Sequence, residues 1–405
     1  MPRKRLLSIP VLLSFILLSA APLWAGSLLG PKTYTRTTGQ PDTYTEKFSQ
    51  CEPLSKYELR VINGLADGRQ RLSNATVVLN GKEVLSPHDL NQNVDRIERQ
   101  VEAQSDNILE FRLASGPGGQ LTISIECVEN CFEIHPISPV PGAVLNQDRV
   151  LVTGTVQSSS EEVGVIVNTI PGEIAGPPFT FAVPDVHLES GSNTLIATAI
   201  NSCGMQATAK VEVNVQNPQE PLVILSTSPS GVVAPVTVHL QALAIPPNPV
   251  ASYQWNFTTQ TGPDLTVTYA APGLYFPQVT VTDKKGLTYT ATAVINILDP
   301  ARLNTRLQAK WSKMREAMKS GSIEQAVGFF TYGSRERYHK IFEAIRDKLG
   351  EEAANLQDIV LVSFSGTTAK YRIQRTVTIN GQSQTLTYWV YFIQDGDGIW
   401  RIRQF

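Results

Sequence analysis

The chain has 405 residues, more than one ordinary domain holds, and its length predicts roughly two to four domains. Only 17% of residues are charged, and 28 Gly and 26 Pro favour β-modules joined by turns over helical bundles. The charge is uneven: residues 26–299 carry 26 acidic against 15 basic residues, and residues 300–405 carry 10 against 16. That asymmetry predicts a separate C-terminal module. It does not define a nucleic-acid binder, because no basic–aromatic RNP-like motif or zinc-finger spacing accompanies it.

The chain opens on Arg3, Lys4 and Arg5, then a short apolar run from Leu6 to Leu18, then Ala20-Ala21-Pro22-Leu23-Trp24-Ala25. That order predicts a secretory signal over 1–25, cut after Ala25. The run contains Pro10 and is short for a membrane span. No later stretch is long and apolar enough to cross a bilayer, so no transmembrane segment is expected after cleavage. The expected location is the periplasm, the cell surface or the extracellular space.

Four cysteines follow: Cys51, Cys127, Cys131 and Cys203. An even number in an oxidising compartment predicts disulfides, with three possible pairings. The favoured set is Cys51–Cys127 with Cys131–Cys203, because each bridge then closes one module; a short Cys127–Cys131 loop is the rival. Zinc needs close ligand pairs on both sides, and only Cys127 and Cys131 are close, so no metal site is expected.

Residues 26–129 read as a first β-sandwich. Tyr57 to Gly64 is a strand running into a turn, and Asn80-Gly81 between two β-rich runs is a hairpin signal. Asn107 to Leu113 alternates, and Gly116-Pro117-Gly118-Gly119 turns the chain into Leu121-Thr122-Ile123. With Gly30-Pro31-Lys32-Thr33-Tyr34, these features resemble the N-terminal sandwich of secreted bacterial multi-domain proteins. His88-Asp89 reads as a loop and not a catalytic pair, since neighbours on a strand point to opposite faces. Residues 131–217 hold repeated short strands, including Val150 to Val156 and Phe179 to Val183. With Gly191-x-Asn193 they resemble a bacterial immunoglobulin-like module.

A Pro-rich linker precedes residues 222–299. Tyr253-x-Trp255-x-Phe257, Tyr269, Pro272-Gly273-x-Tyr275 and Val279-x-Val281-x-Asp283-x-x-Gly286 resemble the PKD family of β-sandwiches. The alternation predicts that Tyr253, Trp255 and Phe257 share a core face, with Val279 and Val281 returning on the opposite sheet. The turn after Trp255 lacks the carboxylates that calcium requires. The family acts as a spacer and contact module.

From Ala301 the apolar period becomes helical. Leu303, Leu307, Trp311, Met314 and Met318 share one face, and Arg302, Arg306, Lys310 and Lys313 form an adjoining basic stripe, read as solvated. Ser322 to Gln325 predicts a capping box for a second helix. Ser334 is expected to cap a third helix carrying Tyr338, Ile341, Phe342, Ile345 and Leu349, stopped by Gly350. Strands are expected at Ile359 to Phe364, Ala369 to Ile379, Leu386 to Gln394 and Ile399 to Ile402, with Asp395-Gly396-Asp397-Gly398 as a hairpin turn. This order resembles the cone of nuclear-transport-factor-like and SnoaL-like domains, which implies a pocket over 301–405.

The expected fold class is therefore multi-domain and mostly β: tandem antiparallel β-sandwiches followed by an α+β cone-like domain. The candidate pocket residues are Trp311, Phe330, Tyr338, Tyr371, Arg375, Tyr388, Trp389 and Trp400. No Gly-x-Ser-x-Gly, phosphate loop or His-Glu-x-x-His occurs, and no catalytic residue or cofactor is assigned. The function expected is an exported, non-enzymatic protein whose sandwiches form a stalk. Its cone binds a partner protein or a small apolar ligand, and cell-surface components are further candidate partners. One alternative is an enzyme acting on a small hydrophobic compound in the cone, with Arg372, Gln374, Arg375, Asp358 or His339 as its polar groups. Another is a polysaccharide-binding adhesin.

Overall fold

The computed structural model describes residues 27–219, 222–229, 232–379 and 382–405. The expected signal segment, part of the Pro-rich linker and the residues Asn380 and Gly381 lie outside the described residues. Strands dominate, and every described α-helix follows Asp299. Buried apolar side chains gather into four clusters along the chain, spanning residues 29–125, 132–215, 223–297 and 303–402.

The first cluster lies between two four-stranded sheets. Alternation sets the faces: in Asp106–Leu113 the residues Asn107, Leu109, Phe111 and Leu113 point inward and their neighbours outward. Strands Ala75–Leu79 and Lys82–Leu85 pair through Asn80 (φ 52) and Gly81 (φ 79), the two positive φ values that a tight I′ hairpin requires. His88 lies exposed in the following turn, and Asp89 accepts hydrogen bonds from the Ser86 N–H and hydroxyl. The second cluster is held between a five-stranded and a four-stranded sheet. There Asn193 ties its turn by bonding the Glu189 backbone twice, at 2.9 and 2.7 Å.

The third cluster is enclosed by three three-stranded sheets. Trp255 is buried and donates its indole N–H to the Gly262 carbonyl at 3.1 Å. Two expectations fail here. Strand Val250–Trp255 ends at Trp255, so Phe257 leaves the alternation and is 42% exposed. Val279 and Val281 do not lie on the opposite sheet; they pair with Trp255 and Tyr253 in the same antiparallel ladder. They still face the core because opposed residues in a ladder share a side.

After Asp299, which caps it through the Arg302 N–H, α1 runs Pro300–Lys319. Its buried face holds Leu303, Leu307, Trp311, Met314 and Met318, the spacing read from sequence. The next helices depart from expectation. α2 (Ile323–Gly328) follows Ser322, but the Ser322 hydroxyl makes no capping bond. α3 (Tyr332–Ala344) starts before Ser334, whose hydroxyl instead donates to the Arg403 carbonyl. Ile341 is 38% exposed, so the buried α3 face narrows to Tyr338 and Phe342. Gly350 stops nothing: it lies inside α4 (Leu349–Asn355), a helix that the sequence did not announce. Strands Val360–Ser365, Thr368–Ile379, Gln382–Gln394 and Trp400–Gln404 complete one antiparallel sheet.

The disulfides also correct the favoured pairing. Cys51 bonds Cys203, and Cys127 bonds Cys131, with Cα separations of 5.9 and 5.6 Å. The expectation assumed that each bridge closes one module. Instead the Cys51 loop abuts the far-end turn of the second sandwich, and Asn130 (φ 54) folds Cys131 back on Cys127. The first bridge closes a separation of 152 residues and the second only 4. In the chain-entropy account the longer loop contributes about 5 kcal/mol and the shorter about 2. Removing Cys51 and Cys203 together should therefore lower the denaturant midpoint well beyond removing Cys127 and Cys131, and non-reducing peptide mapping should recover the 51–203 link.

Candidate functional site

The residues assigned to a pocket divide into two groups. Trp311, Phe330, Tyr338, Tyr371 and Trp400 are at most 3% exposed and pack within one cluster. Phe330 stacks on Tyr338 with centroids 4.0 Å apart, and Phe405 fills the space between Trp311 and Tyr338. Their polar atoms are satisfied internally. The Trp311 indole donates to the Gln357 carbonyl, the Tyr338 hydroxyl to the Phe405 carbonyl and the Tyr371 hydroxyl to Asn304. Burial pushes the Tyr371 phenol well above its ordinary value. The space expected to receive a ligand is thus occupied by the chain's own aromatic rings.

Tyr388 and Trp389 are 46% and 42% exposed on the outer part of the sheet, and Lys370 places its ammonium 3.9 Å from the Trp389 ring centroid. Arg375 lies on strand Thr368–Ile379, and its side chain is outside the described set. The polar candidates do not converge either. Asp358 is exposed and paired with Arg315 at 2.6 Å, and His339 meets Glu324 at 2.9 Å on the surface.

Convergence occurs elsewhere, where α1 meets the second sandwich. The basic stripe read as solvated is in part an internal contact, although Arg302 stays exposed. Arg302 donates to the Gly176 carbonyl at 2.7 Å, and Arg306 lies 3.7 Å from Glu162. The Lys310 ammonium bonds both the Glu162 carboxylate and the Trp400 carbonyl. The other Glu162 oxygen accepts the Trp400 N–H at 3.0 Å. Glu162 and Lys310 side chains are 3% and 13% exposed, so this is a buried ion pair. Burial pulls the Lys310 ammonium below its ordinary pKa, while Glu162 opposes the shift. Lys313, at the end of the stripe, remains exposed.

Beside this pair the Asp395–Gly398 turn rests on Gly164. A Cβ at Gly164 would stand 1.8 Å from the Asp397 carbonyl oxygen, so only glycine allows the two backbones to meet. The turn is rigid. Asp397 receives both Arg401 guanidinium nitrogens at 2.6 and 2.7 Å, and the Tyr332 hydroxyl at 3.0 Å. Burial alone would raise the Asp397 carboxyl, but these donors hold it below the usual carboxylate range. The carboxylates are engaged by protein donors, and no group of side chains suited to a metal occurs among the described residues.

The second sandwich is tied to its other neighbours in the same manner. Glu52 of the first sandwich is fully buried and accepts from the Ser158 hydroxyl, the Ser159 and Ser160 N–H groups and the Asn201 amide. Asn296 of the third donates to Glu173 and to the Ile174 carbonyl at 3.0 and 3.1 Å. Sequence reasoning missed all of these contacts. The spacing of Arg302, Arg306 and Lys310 was visible, but nothing local marked Glu162 as its counterpart.

These features define a multi-domain protein built mainly of antiparallel β-sandwiches. One of them is specific enough to place: residues 222–296 match the PKD domain family. No curated protein sequence matches the chain. Among solved structures, the PKD1 domain of the Vibrio cholerae metalloprotease PrtV is 27% identical over 19% of this chain and 95% of its own, with a TM-score of 0.17. The fibronectin(III)-like modules of Clostridium thermocellum CbhA are 16% identical over 42% of this chain and 95% of theirs, also at 0.17. Dimeric latent PorU from Porphyromonas gingivalis is 10% identical over 68% of this chain but 34% of its own, at 0.25, so the chain spans about a third of PorU. No described helix is long and apolar enough to cross a membrane.

Two outcomes test the junction. Glu162→Leu leaves the buried Lys310 charge without its counter-ion and should cost about 3–5 kcal/mol in denaturant unfolding. Adding Lys310→Met should recover only part of that loss, because it removes the unpaired charge but leaves the Trp400 N–H and carbonyl without their side-chain partners. Gly164→Ala should separate the C-terminal domain from the second sandwich, visible as new protease cleavage between residues 299 and 303 without loss of either disulfide.

Proposed function

We propose that the chain is an exported, non-enzymatic interaction protein, in which the β-sandwiches hold a C-terminal domain that binds a partner protein along a strand edge. The observation that carries this reading is the filled interior of that domain. A packed aromatic core offers neither a substrate chamber nor a positioned acid–base pair, so recognition falls to the surface. The PKD-type sandwich, the disulfides and the immunoglobulin-like layout are features typical of extracellular proteins, and they support the exported location.

The surface that fits is strand Gln382–Gln394. It pairs with Thr368–Ile379 along its whole length, but Trp400–Gln404 covers its other edge only from Tyr391 to Gln394. Among the described residues, no strand pairs with that edge from 382 to 390. The stretch Gln382-Ser383-Gln384-Thr385-Leu386-Thr387-Tyr388-Trp389-Val390 contains no charge, proline or glycine. Leu386, Tyr388 and Trp389 are each at least 36% exposed. An uncharged open edge is a template for an added strand, with backbone bonds giving affinity and exposed side chains giving selectivity.

Thr387→Lys places a charge on this edge without touching the core. Cross-linking of the chain in its native compartment, followed by mass spectrometry, should map partner contacts to residues 382–390. Those contacts should drop at least tenfold in the variant while the unfolding midpoint stays unchanged. Contacts concentrated on the sandwiches, and equal in both proteins, would remove the reading.

A further inference from the structure

We infer that the open edge of strand Gln382–Gln394 is a two-fold interface, and that the strand covering it is the same strand of a second copy of this chain. The inference rests on the strand-edge reading above and names its partner. Two copies related by a two-fold axis present the same patch to each other, so an antiparallel pair of this kind needs a centre and an equal fit on both sides of it.

The ladder shows which backbone groups face the edge. The Gln394 N–H donates to the Thr367 carbonyl, so position 394 points toward strand Thr368–Ile379. The register between the two strands runs without a shift from Thr368 opposite Ile393 to Ile379 opposite Gln382. Backbone direction alternates along an antiparallel strand, so even positions from 382 to 390 face the paired strand. Ser383, Thr385, Thr387 and Trp389 therefore present their N–H and C=O groups outward. The open window begins at Gln382 and ends at Val390, because Trp400–Gln404 takes over at Tyr391. Its midpoint is Leu386, and the residues on either side of Leu386 are both threonines.

A two-fold axis at Leu386 sets Thr385 of each copy opposite Thr387 of the other, and these are outward-facing positions that can exchange backbone bonds. Leu386 meets its own copy at the non-hydrogen-bonded site, where side chains come closest. Cross-strand threonine pairs already occur in the chain, Thr33 with Thr122 at 2.8 Å and Thr237 with Thr268 at 2.9 Å. Leu386 and Tyr388, 36% and 46% exposed, would cover one another between the copies. The copy's Tyr391 falls one position beyond Gln382, so neither last strand obstructs the other. No charge lies in the window. The nearest charged position is Arg375, opposite Leu386, and its two copies would stand three strand spacings apart, about 14 Å, beyond the screening length at physiological salt. A foreign strand requires no such centre. The window midpoint, its threonine flanks and the outward backbone positions coincide as a second copy requires, and the contact closes at two chains.

Sedimentation of the whole chain and cysteine pairing test this. The four native cysteines are all in disulfides, so an introduced cysteine is the lone thiol. The chain should sediment at twice its own mass, and Leu386→Cys should link two chains on mild oxidation. Gln384→Cys alone should not, because its copy lies four residues, about 14 Å, along the other strand. Mixing Gln384→Cys with Tyr388→Cys chains should restore the link. Leu386→Lys and Leu386→Glu should each weaken dimerisation about tenfold or more, and an equal mixture should recover it, because that residue faces itself. If the charged variants fail to fold, the cysteine pattern alone decides. A dimer that is indifferent to Leu386→Lys, or that links through Gln384→Cys but not Leu386→Cys, would overturn the inference. A chain that stays monomeric would overturn it too. The strand-edge reading would then stand if residues 382–390 cross-link to a different protein in the native compartment, and would fall as well if they cross-link to none.

Discussion

The Glu162 carboxylate fixes how the C-terminal domain sits on the rest of the chain. Its oxygens take the Lys310 ammonium and the Trp400 N–H, so one side chain of the second sandwich engages both the first helix and the last strand of the C-terminal domain. A buried pair of this kind is poor evidence for net stability, since desolvation offsets much of the Coulomb attraction. Its consequence is geometric. Any slide or rotation of the two domains leaves a buried charge uncompensated, so the pair selects one docking arrangement. The Gly164 contact has the same effect through sterics, because two backbones touch where no side chain intervenes.

The second sandwich is therefore a hub. It receives Glu52 and the Cys51–Cys203 bridge from one neighbour, Asn296 from another, and α1 with the Asp395–Gly398 turn from a third. Domains joined by short linkers are expected to move relative to one another unless their interface is substantial. Here directional polar contacts and a covalent link are among the ties that oppose such movement. The chain folds back on its own middle, and a C-terminal domain carried at the tip of a stalk does not describe it.

Much of this architecture was legible locally. Period-two alternation located the sandwich strands, Asn80-Gly81 announced its hairpin, and five residues of α1 showed its buried face. These features depend on a few neighbouring residues. The failures required knowledge of distant partners. Phe257 looked like a core ring because nothing in its sequence showed that the strand ends at Trp255. The cysteines looked intramodular because the sequence does not say which module ends meet. Arg306 and Lys310 looked solvated because the carboxylate they share, Glu162, lies more than 140 residues away. Aromatic residues at strand and helix spacing read equally well as a ligand chamber or as a core. Only the positions of Phe330 and Phe405 between the others decide for the core.

The open edge at residues 382–390 gains its meaning from the edges elsewhere in the chain. Arg96–Val101 ends a sheet of the first sandwich, and it carries Arg96, Glu98 and Arg99. Lys82–Leu85 ends the other, and it opens with Lys82 and Glu83. Charges on an edge make an incoming strand unfavourable, because they must be stripped of water without a partner. Residues 382–390 have none of this protection, although Lys370 and Arg372 lie one strand away on the face that bears Trp389. Charge does not guard every outer strand, since Val223–Ser228, Val250–Trp255 and Thr288–Thr292 of the third sandwich and Val360–Ser365 of the last sheet carry none. What residues 382–390 add to the missing charge is a pair of exposed aromatic side chains, Tyr388 and Trp389, carried on the open strand itself.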